Sequence, residues 1–168
     1  MPELIPLSAG NAGAVENLLD DAFGTDRQRR TAYLLRQGTV YIPGLSFGLI
    51  DSRRLIGSIQ CWPVRITDDD GEAAALILVG PVAVVPDRQR GGHGQILMNA
   101  MLDAAMMGGN PPLMMIGDAQ YYGRFGFGAD ETGGWRLPGP VEAHRLLLRN
   151  PGGHILPICG ALGPDIAD

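Results

Sequence analysis

The chain contains no lysine, and all 13 of its basic residues are arginine. That absence excludes Schiff-base chemistry on a lysine, pyridoxal-phosphate catalysis and any P-loop NTPase built on the G-K-[ST] lysine. Cysteine is scarce too: Cys61 and Cys159 cannot make a disulfide scaffold and lack metal-type spacing. The three histidines, His93, His144 and His154, are scattered, so no metal is expected. Charged residues make up 18%, against about 25% in an average soluble protein. The formal net charge is −5, which argues against a nucleic-acid binder that works by neutralising phosphates. The longest apolar run, 73–85, is broken by Gly80-Pro81 and falls short of the ~18–20 residues that span a bilayer. Met1-Pro2-Glu3 opens without a basic or apolar leader region, so no secretory signal is expected. Together these absences predict a soluble, cytoplasmic protein with neither membrane nor nucleic acid as partner.

What is present suits one domain spanning 1–168, since 168 residues is near the usual size of a single domain. Hydrophobic residues make up 45%, enough for a sizeable core and too many for a disordered chain. The 25 glycines and 13 prolines make the chain loop-rich, just under the ~25–30% combined share that marks low complexity. Residues 3–7 read as an edge strand. Residues 11–23 place Ala14, Leu18, Leu19 and Ala22 on one helical face, with Gly24 as a stop. Asp26 is placed to cap a second helix over 27–36, whose Arg27, Arg29, Arg30 and Arg36 form either a solvated face or an attraction for an anion.

Strands are predicted over 45–50 and 55–66, joined by a turn at 51–54. A hairpin signal at 68–71 leads into a strand over 73–85, apolar on both faces as for a central strand covered on both sides. Gly80-Pro81 interrupts that strand and marks a bulge or the start of an unpaired edge. His93–Met107 is the strongest helix, with Leu97, Met101, Ala104 and Ala105 on one face. Its methionines, Met98, Met101, Met106 and Met107, read as core filler. A buried strand over 112–116, a short helix capped by Asp118, and strand pieces at 135–137, 141–148 and 154–159 complete the chain. This order predicts an α/β fold (an α+β mixed sheet), its central sheet flanked by helices on both faces.

The segment with the clearest chemistry is a strand end, Val82-Ala83-Val84, that runs into Gln89-Arg90-Gly91-Gly92-His93-Gly94-Gln95 and opens the longest helix. The first N–H groups of a helix lack intrahelical partners, and its dipole puts partial positive charge there. Glycines admit a bulky anion close to the backbone, and Arg90 adds charge. That is the physics of a pyrophosphate cradle; tight strand-to-helix packing is the other reading of the same glycines. The turn is neither a Walker A loop, for want of the lysine, nor G-x-G-x-x-G.

The run Val-x-Pro-x-x-Gln-x-x-Gly-x-Gly, from Val84 to Gly94 with one extra residue before the proline, resembles the acyl-CoA pyrophosphate loop of the GNAT superfamily of N-acyltransferases. Downstream, Asp118-Ala119-Gln120-Tyr121-Tyr122-Gly123-Arg124-Phe125-Gly126-Phe127 resembles that family's aromatic-Tyr-x-x-aromatic-Gly-Phe signature. The Gly-Pro ahead of the loop and the Gly117-Asp118 lead-in are similar to a bacterial subgroup of predicted N-acetyltransferases. The resemblance implies a GNAT-like fold with a splayed central sheet and acetyl-CoA as co-substrate. It implies that the pantetheine arm pairs with the backbone of Val82, Ala83 and Val84. The pyrophosphate would then rest on the amides of Arg90, Gly91, Gly92, His93, Gly94 and Gln95, with Gln89 at the loop's glutamine position.

The resemblance also implies that Tyr122 is the general acid protonating the departing CoA thiolate, since a phenol of pKa about 10 can donate a proton in a dry, oriented site. Read as a residue alone, Tyr122 is a core aromatic. The implied activity is N-acetyl transfer from acetyl-CoA to a primary amine, on a small molecule or a peptide, by direct attack in a ternary complex. The alternative is a catalytically silent CoA-binding regulatory module of the same fold. Two departures from the family stand out. The asparagine that many members carry ahead of the second signature is absent, and no carboxylate lies within 73–85, where some members carry a base. Asp51, Glu72 and Asp118 are the nearest carboxylates, each reading as a turn or cap residue, so no base is assigned. The acidic balance favours a cationic or small amine acceptor, and the apolar C-terminal strand offers an edge for pairing across a homodimer.

Overall fold

Runs of β-formers separated by glycine turns produce eight strands in this computed structural model, which describes residues 1–166. In chain order the elements are β1 (Glu3–Pro6), α1 (Ala12–Phe23), α2 (Thr31–Leu34), β2 (Phe47–Asp51), β3 (Arg54–Thr67), β4 (Ala73–Val84), α3 (His93–Met107), β5 (Leu113–Ile116), α4 (Ala119–Tyr122), β6 (Gly134–Arg136), β7 (Leu146–Arg149) and β8 (Cys159–Pro164). They form one mixed sheet of order β1-β2-β3-β4-β5-β7, with β8 pairing β3 and β6. The predicted α/β class with a mixed sheet is the observed one. The chain divides into two compact units. The first comprises Met1–Arg29, Tyr41–Cys61 and Gly80–Gly108; the second takes Arg30–Val40, Trp62–Val79 and the chain from Gly109 on.

In the first unit, β1 and β2 pair antiparallel with Glu3 opposite Ile50, and β2 pairs β3 with a register shift between Leu49 and Ile50. The reversal between β2 and β3 places Ser52 (φ 52°) and Arg53 (φ 67°) in the left-handed region, as a two-residue hairpin turn of matching twist requires. Helix α1 buries Val15, Leu18 and Leu19, a spacing of three and one that makes a single helical stripe; Val15 takes the place predicted for Ala14. Helix α3 begins and ends where the sequence places it and buries Leu97, Met98, Met101, Leu102 and Ala105. Met106 and Met107 are exposed instead of filling the core, because they lie past the last buried turn. Gly57 of β3 lets α3 approach closely: a Cβ there would stand 3.1 Å from Leu97 Cδ1.

The predicted helix over 27–36 is not continuous. Arg27–Arg29 form a 3-10 turn, Arg30 is extended, and α2 is four residues long. Arg27 is only 3% exposed. Its guanidinium binds both Glu16 and Asp20 of α1, so it is committed to a structural pair and belongs to no solvated face.

In the second unit, β5 pairs β4 in parallel (Ile77 with Leu113, Leu78 with Met114) and β7 antiparallel (Leu113 with Arg149, Ile116 with Leu146). Leu113, Met114, Met115, Leu146, Leu147 and Leu148 are buried, as expected for near-continuous apolar strands. Helix α2 is held by Thr31, whose hydroxyl donates to the Pro140 carbonyl at 2.6 Å. Residues 154–158 are irregular rather than a strand. His154 N–H donates to the Asn150 side chain, and the Pro157 carbonyl accepts from the Trp135 indole at 2.8 Å. Those bonds engage backbone groups that a ladder would need, and β8 starts only at Cys159. Likewise residues 143–145 turn as a 3-10 segment before β7.

Gly80-Pro81 does not end β4, which continues to Val84 with a cis peptide at this step and Gly80 at φ 130°. Beyond it the strand alternates: Ala83 is buried while Val82 and Val84 are half-buried. The outer stretch is therefore not covered on both faces as the composition predicts.

Candidate active site

The first unit supplies a strand end, a braced turn and a helix N-terminus. The Val85 N–H donates to the Ile56 carbonyl at 2.8 Å. Backbone groups of successive strand residues point to opposite edges, so Val84 and Val82 direct theirs away from β3. Ala83 directs its own toward β3, with its carbonyl beside Gly57. Of the three residues expected to pair with a ligand, Val82 and Val84 thus have the suitable orientation and Ala83 does not. The Val84 carbonyl already accepts from the Gln89 side chain at 3.1 Å, which makes Gln89 a brace across the turn and leaves the Val84 N–H as the outward donor.

The turn itself begins with a 3-10 segment, Pro86–Arg88, and the Gly91 N–H is used by the Arg88 carbonyl at 3.3 Å. Gly92 is left-handed (φ 77°), with open space where a side chain would stand. The first hydrogen bond of α3 runs from Ile96 N–H to the Gly92 carbonyl at 3.2 Å, so the N–H groups of His93, Gly94 and Gln95 are, among the described residues, the helix's orphan donors. Gly91, Gly92 and Gln95 are exposed, as is Arg90. The His93 ring folds against Gly91, where a Cβ would meet Nε2 at 2.9 Å. Its enclosed Nδ1 has no hydrogen-bond partner among the described residues. Open glycines, unpaired amides and an exposed arginine at the positive end of a fifteen-residue helix suit a diphosphate anion.

The second unit holds the aromatic segment. Asp118 caps α4 by accepting from Gln120 N–H at 2.9 Å, which starts the short helix carrying Tyr121 and Tyr122. The two rings meet edge to face at 4.9 Å between centroids. Tyr122 lies so close over Gly117 that a Cβ there would stand 2.8 Å from its Cε2. Burial holds the Tyr122 phenol above the ordinary tyrosine range; Tyr121 and Asp118 push the same way and Arg145 opposes them. The hydroxyl is therefore protonated at neutral pH, a donor and not a base.

Two of the three carboxylates nearest in sequence are committed. Asp51 pairs with Arg88 at 2.8 Å, a hydrogen bond that lowers its pKa. Asp118 is the cap. Glu72 closes the 68–71 turn through its backbone, its N–H donating to Asp68 Oδ1 at 2.9 Å, which leaves its carboxylate outside that bond. Burial pushes the Cys61 thiol well above its ordinary range, so it is no nucleophile. Among the described residues no group of three or more His, Cys, Asp or Glu side chains could hold a metal ion, and no helix is long and apolar enough to cross a membrane.

Residues 3–129 match the acetyltransferase (GNAT) domain family. The chain belongs to the GNAT acetyltransferase family. By that membership it is an acyltransferase, with the mixed α/β fold of its structural relatives. A GNAT family N-acetyltransferase (YhbS) from Escherichia coli, solved with CoA, superposes with a TM-score of 0.74 at 20% identity, covering 97% of this chain and 89% of that one. A GNAT family acetyltransferase from Brucella melitensis, solved with acetyl-CoA, gives 0.66 at 22% identity over 97% of this chain and 95% of its own. Naa50 from Arabidopsis thaliana, in complex with the bisubstrate analogue CoA-Ac-MVNAL, gives 0.59 at 16% identity over 88% of this chain and 97% of its own. At these identities the likeness is one of fold. No curated protein matches the sequence significantly.

Sequence reasoning about this GNAT acetyltransferase missed three features of the two segments. Gly117, which the sequence marks only as a lead-in, seats the Tyr122 ring. Arg149 spans from β7 to donate from Nε to the Phe125 carbonyl at 3.0 Å, fixing the turn that follows Tyr122. Asp51 and Arg54 of the β2–β3 turn reach Arg88 and Asp87 of the glycine-rich turn. A glycine directly before a helix cap was the one local signal available for any of them.

Proposed function

We propose that the protein is an acetyl-CoA-dependent N-acetyltransferase acting on a primary amine of a small molecule or peptide by direct attack in a ternary complex, with 1–168 working as one catalytic domain. The observation that carries this reading is the α3 N-terminus: a left-handed Gly92 followed by orphan N–H groups at His93, Gly94 and Gln95, within the part of the chain that matches the family. Those amides, with Arg90, would hold the diphosphate, and the outward backbone of Val82 and Val84 would align the pantetheine arm as an added strand does. CoA-bound relatives of the same fold support acetyl-CoA as the co-substrate, which supplies an activated acyl group. The acceptor nitrogen then attacks the thioester carbonyl carbon, and the Val84 N–H stabilises the charge developing on oxygen. As the carbon–sulfur bond breaks, Tyr122 gives its proton to the thiolate, and the excess proton on nitrogen leaves through ordered water.

One observation favours a second reading, a CoA-binding regulatory module that transfers nothing: the carboxylates of Asp51 and Asp118 are engaged elsewhere, so neither is available as a base. Release of free thiol from acetyl-CoA, measured against a panel of alkylamines, polyamines, aminoglycosides and peptide N-termini, separates the two. Turnover of at least one amine above the rate with water is expected. CoA binding without any turnover selects the regulatory module. A melting temperature unmoved by CoA overturns both.

A further inference from the structure

We propose that Asp51 and Arg54 are positioning residues for the cofactor loop: their ion pairs with Arg88 and Asp87 clasp the β2–β3 turn to the segment entering α3 and keep Arg88 off the cofactor's phosphates, leaving Arg90 to meet them. The proposal rests on the acetyl-CoA reading above. Strand β2 ends at Asp51 and β3 begins at Arg54. The two left-handed residues between them make the reversal tight, so these side chains leave the turn as neighbours. Asp51 Oδ2 lies 2.8 Å from Arg88 Nη1. Both terminal nitrogens of Arg54 reach Asp87, each at 3.2 Å, the fork-on-fork geometry that favours arginine for carboxylates.

Acid and base alternate around this quartet, so each charge faces its opposite. A one-residue slip of the loop would bring like charges together, which fixes the register as well as the contact. Further ties act on the same segment, from Val85 N–H to Ile56 and from the Gln89 side chain to Val84. Residues 85–89 are thus held by their own side chains and backbone. Arg90, the next residue, is exposed and has no ion pair among the described residues.

Direct contact of Arg54 and Arg88 with phosphate is the competing account, and the two differ in sign. Asp87→Arg adds positive charge beside an anion site, which by itself tightens CoA binding; if the clasp matters, the new arginine faces Arg54 and binding weakens. The experiment is calorimetric titration of CoA into wild type, Asp87→Arg, Arg54→Asp, the double charge swap and Asp51→Asn at fixed ionic strength, with melting temperatures alongside. Each charge reversal is expected to weaken CoA by roughly threefold or more, the scale of an exposed pair converted to repulsion, and Asp51→Asn, which removes a pair without adding repulsion, by a smaller factor. The swap restores the 54–87 pair while losing the alternation with Asp51 and Arg88, so it is expected to recover part of what each single reversal loses.

Tighter binding by Asp87→Arg or Asp51→Asn, unchanged binding in the single variants, or a swap weaker than either single variant would overturn the clasp. Should the reversals fail to fold, the near-isosteric Asp51→Asn decides alone: weaker binding supports the clasp, and equal or tighter binding removes it. Wild type that binds no CoA overturns the cofactor reading itself, an outcome distinct from all of these.

Discussion

At the scale of single residues, the chemistry proposed above turns on one hydroxyl and the glycine beneath its ring. Tyr122 is half-buried with its phenol shifted upward by partial burial, so the protonated form persists through neutral pH and beyond the usual tyrosine range. A rate controlled by this acid should show no loss on its account as pH rises toward about 10, and decline only above that. Tyr122→Phe removes the proton and leaves the ring. We expect kcat for acetyl transfer to fall ~10²–10⁴-fold with CoA affinity unchanged, since the proton is needed only as the thiolate departs; a fall below about threefold would make Tyr122 a packing residue. Gly117→Ala tests the seat rather than the hydroxyl. Its Cβ would stand 2.8 Å from Cε2 and 2.9 Å from Cδ2 of Tyr122, closer than any real contact, and with backbone on one side the ring must move. The expected result is a lower kcat at unchanged CoA affinity. An alanine variant with wild-type kcat would show that the position of the ring is immaterial.

At the scale of elements, the glycine-rich turn makes two distinguishable demands. Gly92 is needed for its left-handed backbone, which costs an L-residue roughly 1–2 kcal/mol, so Gly92→Val strains the turn whether or not a ligand comes near. Gly94 lies inside α3 without a positive φ. Alanine there should hold or raise the melting temperature, because glycine is the poorer helix former by up to about 1 kcal/mol. If the backbone must be approached by a diphosphate, the same substitution should weaken CoA about tenfold or more, roughly 1.4 kcal/mol. A Gly94→Ala protein with raised stability and intact CoA affinity would refute the cradle.

The elements differ in how far their own residues announce them. Helix α3 and the paired strands could be read from period and glycine punctuation, because those signals are local. The break at Arg30 and the irregular run at 154–158 could not, since they depend on Thr31 reaching Pro140 and Trp135 reaching Pro157. The site follows the same division. The turn at 89–95 and the Tyr122 segment are contiguous and therefore legible. The ion pairs of Asp51 and Arg54 join residues 37 and 33 positions apart, and no spacing rule brings them together.

At the scale of the whole molecule, the two compact units share strands. Strand β3 passes from one unit to the other between Cys61 and Trp62, and β4 does so between Val79 and Gly80. Neither unit can lose its order without releasing half of a strand on which the other depends. Backbone continuity of this kind couples them even though each has its own buried side chains, such as Leu19, Ile59 and Leu97 in one and Leu113, Met114 and Leu147 in the other. We therefore expect one cooperative transition in calorimetry, with calorimetric and van't Hoff enthalpies equal. CoA supplies the sharper form of this test. The orphan amides of α3 belong to the first unit, and a ligand held there at about a hundredfold its Kd adds about 2.7 kcal/mol to the folded state. For a chain of this length that raises the midpoint by roughly 5–11 °C. If the units unfold together, the entire transition moves by that amount, and probes in either unit report it: the fluorescence of Trp62 and Trp135, both in the second unit, should shift with the calorimetric peak. A transition that splits in the presence of CoA, with tryptophan fluorescence left at the ligand-free midpoint, would show that the units fold independently and that 1–168 is not one domain.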